Sequence, residues 1–208
     1  DSFQGNMKLT FIKFPEDSEI SFIEEESFAR CSIKSLIMPI QLTQICKFTF
    51  NSCENLKILE IPENSSVTTI QTNAFSKSFI ETLIFSSKVN NLEEGWCSNT
   101  KKLTNIVIPT TNKYFSYLDE EKKLIIGKSK PSLNYFDVIV FASRDIETFT
   151  IPLSIRKIAS NAFSSTNVHK IIFPKSSKLQ TICECAFDCS SIEKIKIPSQ
   201  VEEIPKYS

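Results

Sequence analysis

The chain has 208 residues, of which 41% are hydrophobic and 23% are charged, and this composition is typical of a folded protein rather than a disordered one. Lys plus Arg and Asp plus Glu both number 24, so the formal net charge is zero and no overall positive field attracts nucleic acid or an anionic membrane surface. We therefore expect no nucleic-acid partner and, because no apolar run approaches about 18 to 20 residues, no membrane insertion of this stretch.

A short apolar phrase that usually ends in proline recurs along the chain. Its copies are FIKFP (11–15), SLIMP (35–39), ILEIP (58–62), TLIFS (82–86), NIVIP (105–109), TFTIP (148–152), KIIFP (170–174) and KIKIP (194–198). Their last residues lie 24, 23, 24, 23, 43, 22 and 24 positions apart, and 43 is close to two periods. This period falls within the range of leucine-rich repeats and well below the helical repeats of about 33 residues and more.

The second and fourth residues of every phrase are apolar. Alternate side chains of a strand point to the same face, so these sixteen residues predict the core face. They are Ile12, Phe14, Leu36, Met38, Leu59, Ile61, Leu83, Phe85, Ile106, Ile108, Phe149, Ile151, Ile171, Phe173, Ile195 and Ile197. The proline that follows has no N–H to donate and ends the strand.

A second series, an aliphatic residue followed by an aromatic one, recurs between the strand phrases. Its members are Ile23 with Phe28, Ile45 with Phe50, Ile70 with Phe75, Leu92 with Trp96, Ile158 with Phe163 and Ile182 with Phe187. One coil of about 23 residues cannot bury these groups alone, so successive coils must stack around a shared core. The sequence predicts a β-rich leucine-rich-repeat solenoid of about eight to nine coils over residues 1–208. Its concave face should carry a parallel β-sheet, and its convex side should be mostly irregular or short-helical.

Residues 110–147 form a stretched or spacer repeat. The β-like runs KLIIG and FDVIVFA flank GKSKPSLNY, which has turn chemistry, so we expect a β-hairpin or two extra strands that continue or cap the core. The alternative is an aromatic contact patch made of Tyr114, Phe115, Tyr117, Tyr135 and Phe136. Local irregularity is expected in the coil from about 86 to 103, where Ser86 replaces proline and Trp96 replaces phenylalanine.

The segments LKILEIPENSSVTTIQTNAFSKSFIETL and FTIPLSIRKIASNAFSSTNVHKI resemble the BspA-type leucine-rich repeat. That repeat occurs in surface proteins of oral anaerobic bacteria and of anaerobic protozoan parasites. The resemblance covers most of the chain, except the segment from about 110 to 147. It implies a cell-surface or secreted scaffold that attaches to host cells, extracellular-matrix proteins or other microbes.

The odd-numbered residues of each phrase should face solvent, and several of them are aliphatic. We hypothesise that a protein ligand contacts a strip centred on Ile37, Ile58, Ile84 and Val107, because a contiguous exposed apolar strip often marks an interface. The remaining members of the hypothesised surface are Glu60 and Ile172, and a basic flank that would steer an acidic partner, namely Lys170, Lys194 and Lys196. The alternative is that these residues are β-branched only because sheets favour such side chains.

The sequence offers little chemistry. His169 is the only histidine, so a Cys/His or Ser/His pair would have a single candidate base, and three glycines leave no phosphate-binding loop. Seven cysteines cannot all pair within one chain, and their spacing suits no metal site. We expect no catalytic residues, metal or cofactor. The predicted function is that of a non-enzymatic adhesin, with a self-assembling structural surface protein as the alternative.

Overall fold

The computed structural model describes residues 2–207, which form short β-strands joined by turns, with no helix among them. The chain divides into two units, Asp1–Lys113 and Tyr114–Ser208. The sequence-based view of residues 1–208 as a single solenoid domain stays a prediction, and the two units are described separately below.

The first unit contains seven strands, and its coils stack in chain order. The strands are β1 (Ser35–Ile37), β2 (Gln44–Ile45), β3 (Ile58–Glu60), β4 (Thr69–Ile70), β5 (Thr82–Ile84), β6 (Asn91–Leu92) and β7 (Asn105–Val107). Strands β1, β3, β5 and β7 form one parallel sheet in that order, and β2, β4 and β6 form a second one. Because each strand pairs with its equivalent in the next coil, the predicted parallel β-solenoid is confirmed for this unit.

The second unit begins with an antiparallel addition and continues as parallel coils. Its strands are β8 (Ser116–Tyr117), β9 (Leu124–Gly127), β10 (Val138–Ala142), β11 (Thr148–Thr150), β12 (Lys157–Ile158), β13 (Lys170–Ile172) and β14 (Thr181–Ile182). Strands β8, β9 and β10 pair antiparallel, whereas β10, β12 and β14 pair parallel within the same sheet, and β11 pairs parallel with β13. The two β-like runs of the stretched repeat are thus β9 and β10, which pair with each other.

The core consists largely of the residues that strand alternation placed inward. Ten of the sixteen are buried, namely Leu36, Met38, Leu59, Ile61, Leu83, Phe85, Ile106, Ile108, Ile151 and Ile171. The other six are at most half-buried, and Ile195 is exposed. Four of these six belong to residues 11–15 and 194–198, which were predicted as strands but are not. Within residues 2–207 each of these two segments has a neighbouring coil on one side only. It therefore lacks the backbone hydrogen bonds and the packing contacts that a second neighbouring coil would provide.

The returning segments share a backbone signature of two residues with positive φ, four positions apart. The pairs are Glu26 and Arg30, Phe48 and Ser52, Asn73 and Lys77, Gly95 and Asn99, Asn161 and Ser165, and Cys185 and Cys189. These six turns show that the expected eight to nine coils were too many. Of the two alternatives expected for the convex side, irregular or short-helical, residues 2–207 show the irregular one, because left-handed residues at this spacing close the coil with turns and two-residue strands.

The aromatic residues of the first unit form a stacked column. The rings of Phe3, Phe28, Phe50 and Phe75 follow one another at centroid distances of 5.4, 5.6 and 5.4 Å and are nearly parallel. In the next coil the backbone hydrogen bond from Phe75 N to Trp96 O places Cys97, rather than Trp96, opposite Phe75. The Trp96 ring instead lies edge-on to Phe75, at 6.4 Å. Trp96 is therefore not the direct replacement for phenylalanine that the sequence suggested.

Of the irregularity expected from about 86 to 103, the structure shows the break in the phenylalanine column at Trp96 and Cys97, whereas the strand that precedes Ser86 keeps the register of its neighbours. Strand β5 pairs residue for residue with β3 and with β7. The side-chain amide of Asn112 donates to the carbonyl oxygens of Ser86 and Val89, at 3.2 and 2.9 Å. This amide fixes the turn at the position where the other coils have proline.

The left-handed turns predict opposite effects for two substitutions of the exposed residue Lys77, whose φ is 58°. Lys77→Gly should raise the free energy of unfolding by up to about 1 kcal/mol, and Lys77→Val should lower it by about 1 to 2 kcal/mol, since glycine adopts positive φ freely and a β-branched residue does not. Urea unfolding followed by circular dichroism measures both changes. Lys47 is an exposed control with ordinary φ, at which glycine should destabilise, and equal effects of glycine at both sites would contradict this account.

Candidate protein-binding surface

The outward-facing residues of the first sheet form two ladders that run across the coils. In one ladder Ile37, Glu60, Ile84 and Val107 are successive Cα partners. In the other, Ile58 lies between Ser35 and Thr82. The hypothesised centre of the strip is therefore brought together on one face of one sheet, with Glu60 in the middle of it.

Solvent reaches most of this strip. Ile37 is 60% exposed, Ile58 46% and Val107 39%, whereas Ile84 is half-buried between its neighbours. The residues that alternate with them, such as Leu36, Leu59 and Leu83, are buried in the core. We define the apolar strip as Ile37, Ile58, Ile84 and Val107.

One end of the apolar strip opens into a depression of about 640 Å³. Its walls combine residues of the strip, Ile37 and Ile58, with aromatic residues that precede β1, Phe11 and Phe14. Pro15, Pro39 and Pro62, which follow the successive strand phrases, line it as well. The first unit thus presents an apolar concavity rather than a flat sheet, and a concave, mostly apolar surface is what ligands of proteins usually occupy.

The sequence hypothesis did not include Phe11 and Phe14 in the site. The alternation that places Ile12 inward also places Phe11 outward, and Phe11 is 68% exposed. That signal was available in the sequence. Phe14 was assigned to the core, but it is half-buried and lines the depression.

Charged groups flank the strip at both ends of the strands. Before the strands, the Lys57 ammonium pairs with the Glu81 carboxylate, and this hydrogen bond lowers the pKa of Glu81. After the strands, the Glu63 carboxylate accepts a hydrogen bond from the backbone N–H of Ser87 at 3.0 Å. Hydrogen bonding from Ser87 likewise lowers the pKa of Glu63. These flanking carboxylates are therefore held by partners within the protein.

The remaining members of the hypothesised site lie in the second unit. Lys170 and Lys194 are parallel bridge partners, Ile172 is 39% exposed at the end of β13, and Lys196 is exposed two residues beyond Lys194. None of the three lysines forms an ion pair within residues 2–207. Because like charges that lie opposite each other repel, a bound anionic partner would stabilise this arrangement of lysines.

The aromatic residues of the stretched repeat do not share one environment. Phe115 is buried, whereas Tyr114 and Tyr135 are exposed. The Lys122 ammonium lies 5.4 Å from the centre of the Tyr117 ring, and the Lys128 ammonium lies 5.3 Å from that of Phe136. Cations stack on aromatic faces with modest attraction, so these rings already have local partners.

The reactive side chains that the sequence offers, His169 and the cysteines, lie in different surroundings. His169 is exposed, with Nε2 3.4 Å from the Thr148 hydroxyl. In residues 2–207 no three His, Cys, Asp or Glu side chains converge on a point that a metal ion could occupy. The same residues contain no helix with the length and hydrophobicity of a membrane span.

Two buried thiols act as hydrogen-bond donors between coils. Cys31 Sγ donates to Phe3 O, and Cys53 Sγ, at the equivalent position of the next coil, donates to Phe28 O at 3.0 Å. Burial raises the pKa of Cys53 to about 12. Such a thiol stays protonated at neutral pH and is a packing group rather than a nucleophile.

Comparison with known families agrees with the repeat and its geometry. The model of the BspA-type leucine-rich-repeat region matches residues 1–118 and 129–208, with six copies. The chain belongs to this family. The six copies agree with the six turns of the structure. None of the curated proteins matches the BspA-type chain in sequence.

Several solved structures with the same fold come from bacteria. A leucine-rich cell surface protein from Faecalibacterium prausnitzii superposes with a TM-score of 0.72 at 22% identity, over 86% of this chain and 46% of that one. The pneumococcal vaccine antigen PcpA gives 0.72 at 20% identity, over 85% and 42%. A leucine-rich repeat protein from Eubacterium ventriosum gives 0.52 at 16% identity, over 74% and 51%. The chain spans less than half of the length of the first two, and at these identities the likeness shows the fold.

The environment of Cys53 predicts its reactivity. At pH 8 a thiol with a pKa of about 12 carries roughly a thousandfold less thiolate than an ordinary one, and only the thiolate is alkylated. Iodoacetamide should therefore modify Cys53 about a thousandfold more slowly in the native chain than in the denatured chain, as mapped by peptide mass spectrometry. Similar rates in the two states would show that Cys53 is not held in the core.

Proposed function

We propose that this BspA-type repeat protein is a non-enzymatic protein-binding scaffold, a cell-surface or secreted adhesin that recognises host-cell, extracellular-matrix or microbial proteins. The observation that carries the proposal is the apolar strip, which continues into a depression of about 640 Å³ on a regular sheet. Exposed apolar side chains that lie next to one another on a protein surface often mark a binding site.

Three further features support this function. Neighbours of the same fold are described as a leucine-rich cell surface protein and a vaccine antigen, which fits a role outside the cell. The strip lies on strands whose core residues are fully packed, so a ligand would meet a rigid surface with little conformational entropy to lose. In the second unit, the lysines at 170, 194 and 196 would favour acidic partners by charge.

Self-assembly into a surface structure is the second candidate function. It is favoured by apolar side chains of the first coil that stand in solvent, with Met7 70% exposed and Phe22 60% exposed. If self-assembly is the function, sedimentation velocity should detect reversible oligomers that Met7→Ser and Phe22→Ser dissociate. A monomer at all concentrations would leave ligand binding as the function.

The main test replaces all four residues of the apolar strip by serine. Because the four side chains lie outside the core, the free energy of unfolding should fall by no more than about 2 kcal/mol in total. Binding to immobilised extracellular-matrix proteins and to cultured epithelial cells should fall at least tenfold. Biolayer interferometry and cell-binding assays measure the loss, and circular dichroism checks the fold.

Exposed aliphatic residues outside the strip provide the matched control. Leu153 is 45% exposed and Ile204 is 63% exposed, and both lie in the second unit. Leu153→Ser combined with Ile204→Ser should leave adhesion unchanged. Equal loss in the control and the strip variant, or full adhesion by the strip variant, would contradict the proposed binding surface.

A further inference from the structure

Glu60 is a charged residue in an otherwise apolar ladder. Its Cα partners are Ile37 in the preceding coil and Ile84 in the following one. The side chain is half-buried, and it lines the depression together with Phe11 and Ile58. A carboxylate therefore stands at the centre of the surface that would be covered by a ligand.

The Glu60 carboxylate has no hydrogen-bond or ion-pair partner within residues 2–207. Two neighbouring carboxylates differ in this respect, because Glu63 accepts from Ser87 and Glu81 pairs with Lys57. Lys13 lines the same depression but is exposed and forms no ion pair with Glu60. Water is therefore what solvates Glu60 in the free protein.

A ligand that covers Ile37 and Ile58 removes this water. Burial of a carboxylate without a compensating partner is strongly unfavourable, so a purely apolar ligand would be rejected. A ligand that supplies a cation avoids that penalty. Among biological cations a guanidinium fits best, because it is weakly hydrated, donates two parallel N–H groups to a carboxylate and is enriched at interface centres.

We propose that the first unit binds a protein segment in which an arginine is flanked by apolar side chains. The arginine pairs with Glu60, and the apolar side chains occupy the depression beside Phe11, Ile37 and Ile58. The inference rests on the proposed function, since it specifies the chemistry of a partner for the same surface. Glu60 then determines which partners bind, because a carboxylate in an apolar site excludes ligands that cannot neutralise its charge.

A peptide selection tests this inference with the full 208-residue chain. A phage library of random twelve-residue peptides is first depleted on the Ile37→Ser, Ile58→Ser double variant and then selected on the unchanged chain. The recovered peptides should be enriched in arginine next to aliphatic or aromatic residues. Synthetic copies should bind Glu60→Gln at least about tenfold more weakly, and Glu60→Lys more weakly still.

Glu54→Gln is the matched control, since Glu54 is an exposed carboxylate in a turn outside the depression, and it should bind the peptides as the unchanged chain does. Recovered peptides without arginine enrichment, or with equal affinity for Glu60→Gln, overturn the role of Glu60 but leave the binding surface standing. If depletion removes every binding peptide, the surface is not a binding site, and the proposed function fails with the inference. Circular dichroism of each variant confirms that the fold is kept.

Discussion

Neighbouring coils of this protein pair in register, residue against equivalent residue, and the rest of the structure depends on that constraint. The backbone N–H groups of Met38, Ile61 and Phe85 donate to the carbonyl oxygens of Glu60, Ile84 and Val107 in the next coil. Because equivalent residues lie side by side, any residue type that recurs in the sequence becomes a column in space. The phenylalanine column in the core and the apolar strip on the surface both follow from this pairing of equivalent residues.

The same constraint explains why each departure from the repeat has a local structural effect that can be identified. A residue that differs from its equivalents interrupts a column at a defined place. Cys97 ends the phenylalanine column, and the Trp96 ring fills the space edge-on to Phe75. Asn112 supplies hydrogen bonds to the turn in which Ser86 replaces proline. Glu60 interrupts the outer apolar ladder, and no ion pair within residues 2–207 compensates its charge, which fits the proposed role in recognition rather than a role in packing.

Much of the fold could be predicted because its causes are local and periodic. The strand phrases set the inward residues, and for inner coils, such as that of Leu59 and Ile61, alternation alone identified the buried side chains. The coil count and the turns could not be predicted in this way. Left-handed φ values occur here at Glu26, Phe48 and Lys77, residue types that carry no turn signal, so the backbone conformation follows from stacking rather than from propensity.

The candidate site was predictable in part for the same reason. Alternation placed Ile37, Ile58, Ile84 and Val107 outward, and the register of the sheet brings them together. The depression beside them was not predictable, because it depends on the path of residues 11–15, which line it without forming a strand. The division into two units was not predicted either: the strip belongs to the first unit, whereas Ile172 and the three lysines belong to the second.

If the coils are stable only through a shared interior, the loss of one core ring should weaken several coils, and residue-resolved hydrogen exchange measures this effect. In Phe50→Leu the ring stacked between Phe28 and Phe75 is removed. If the interior is shared, exchange should accelerate at the amides of Met38, Ile61 and Phe85, which lie in three different coils. Acceleration confined to the coil of residue 50, with unchanged protection in its neighbours, would show that the coils do not depend on a shared interior.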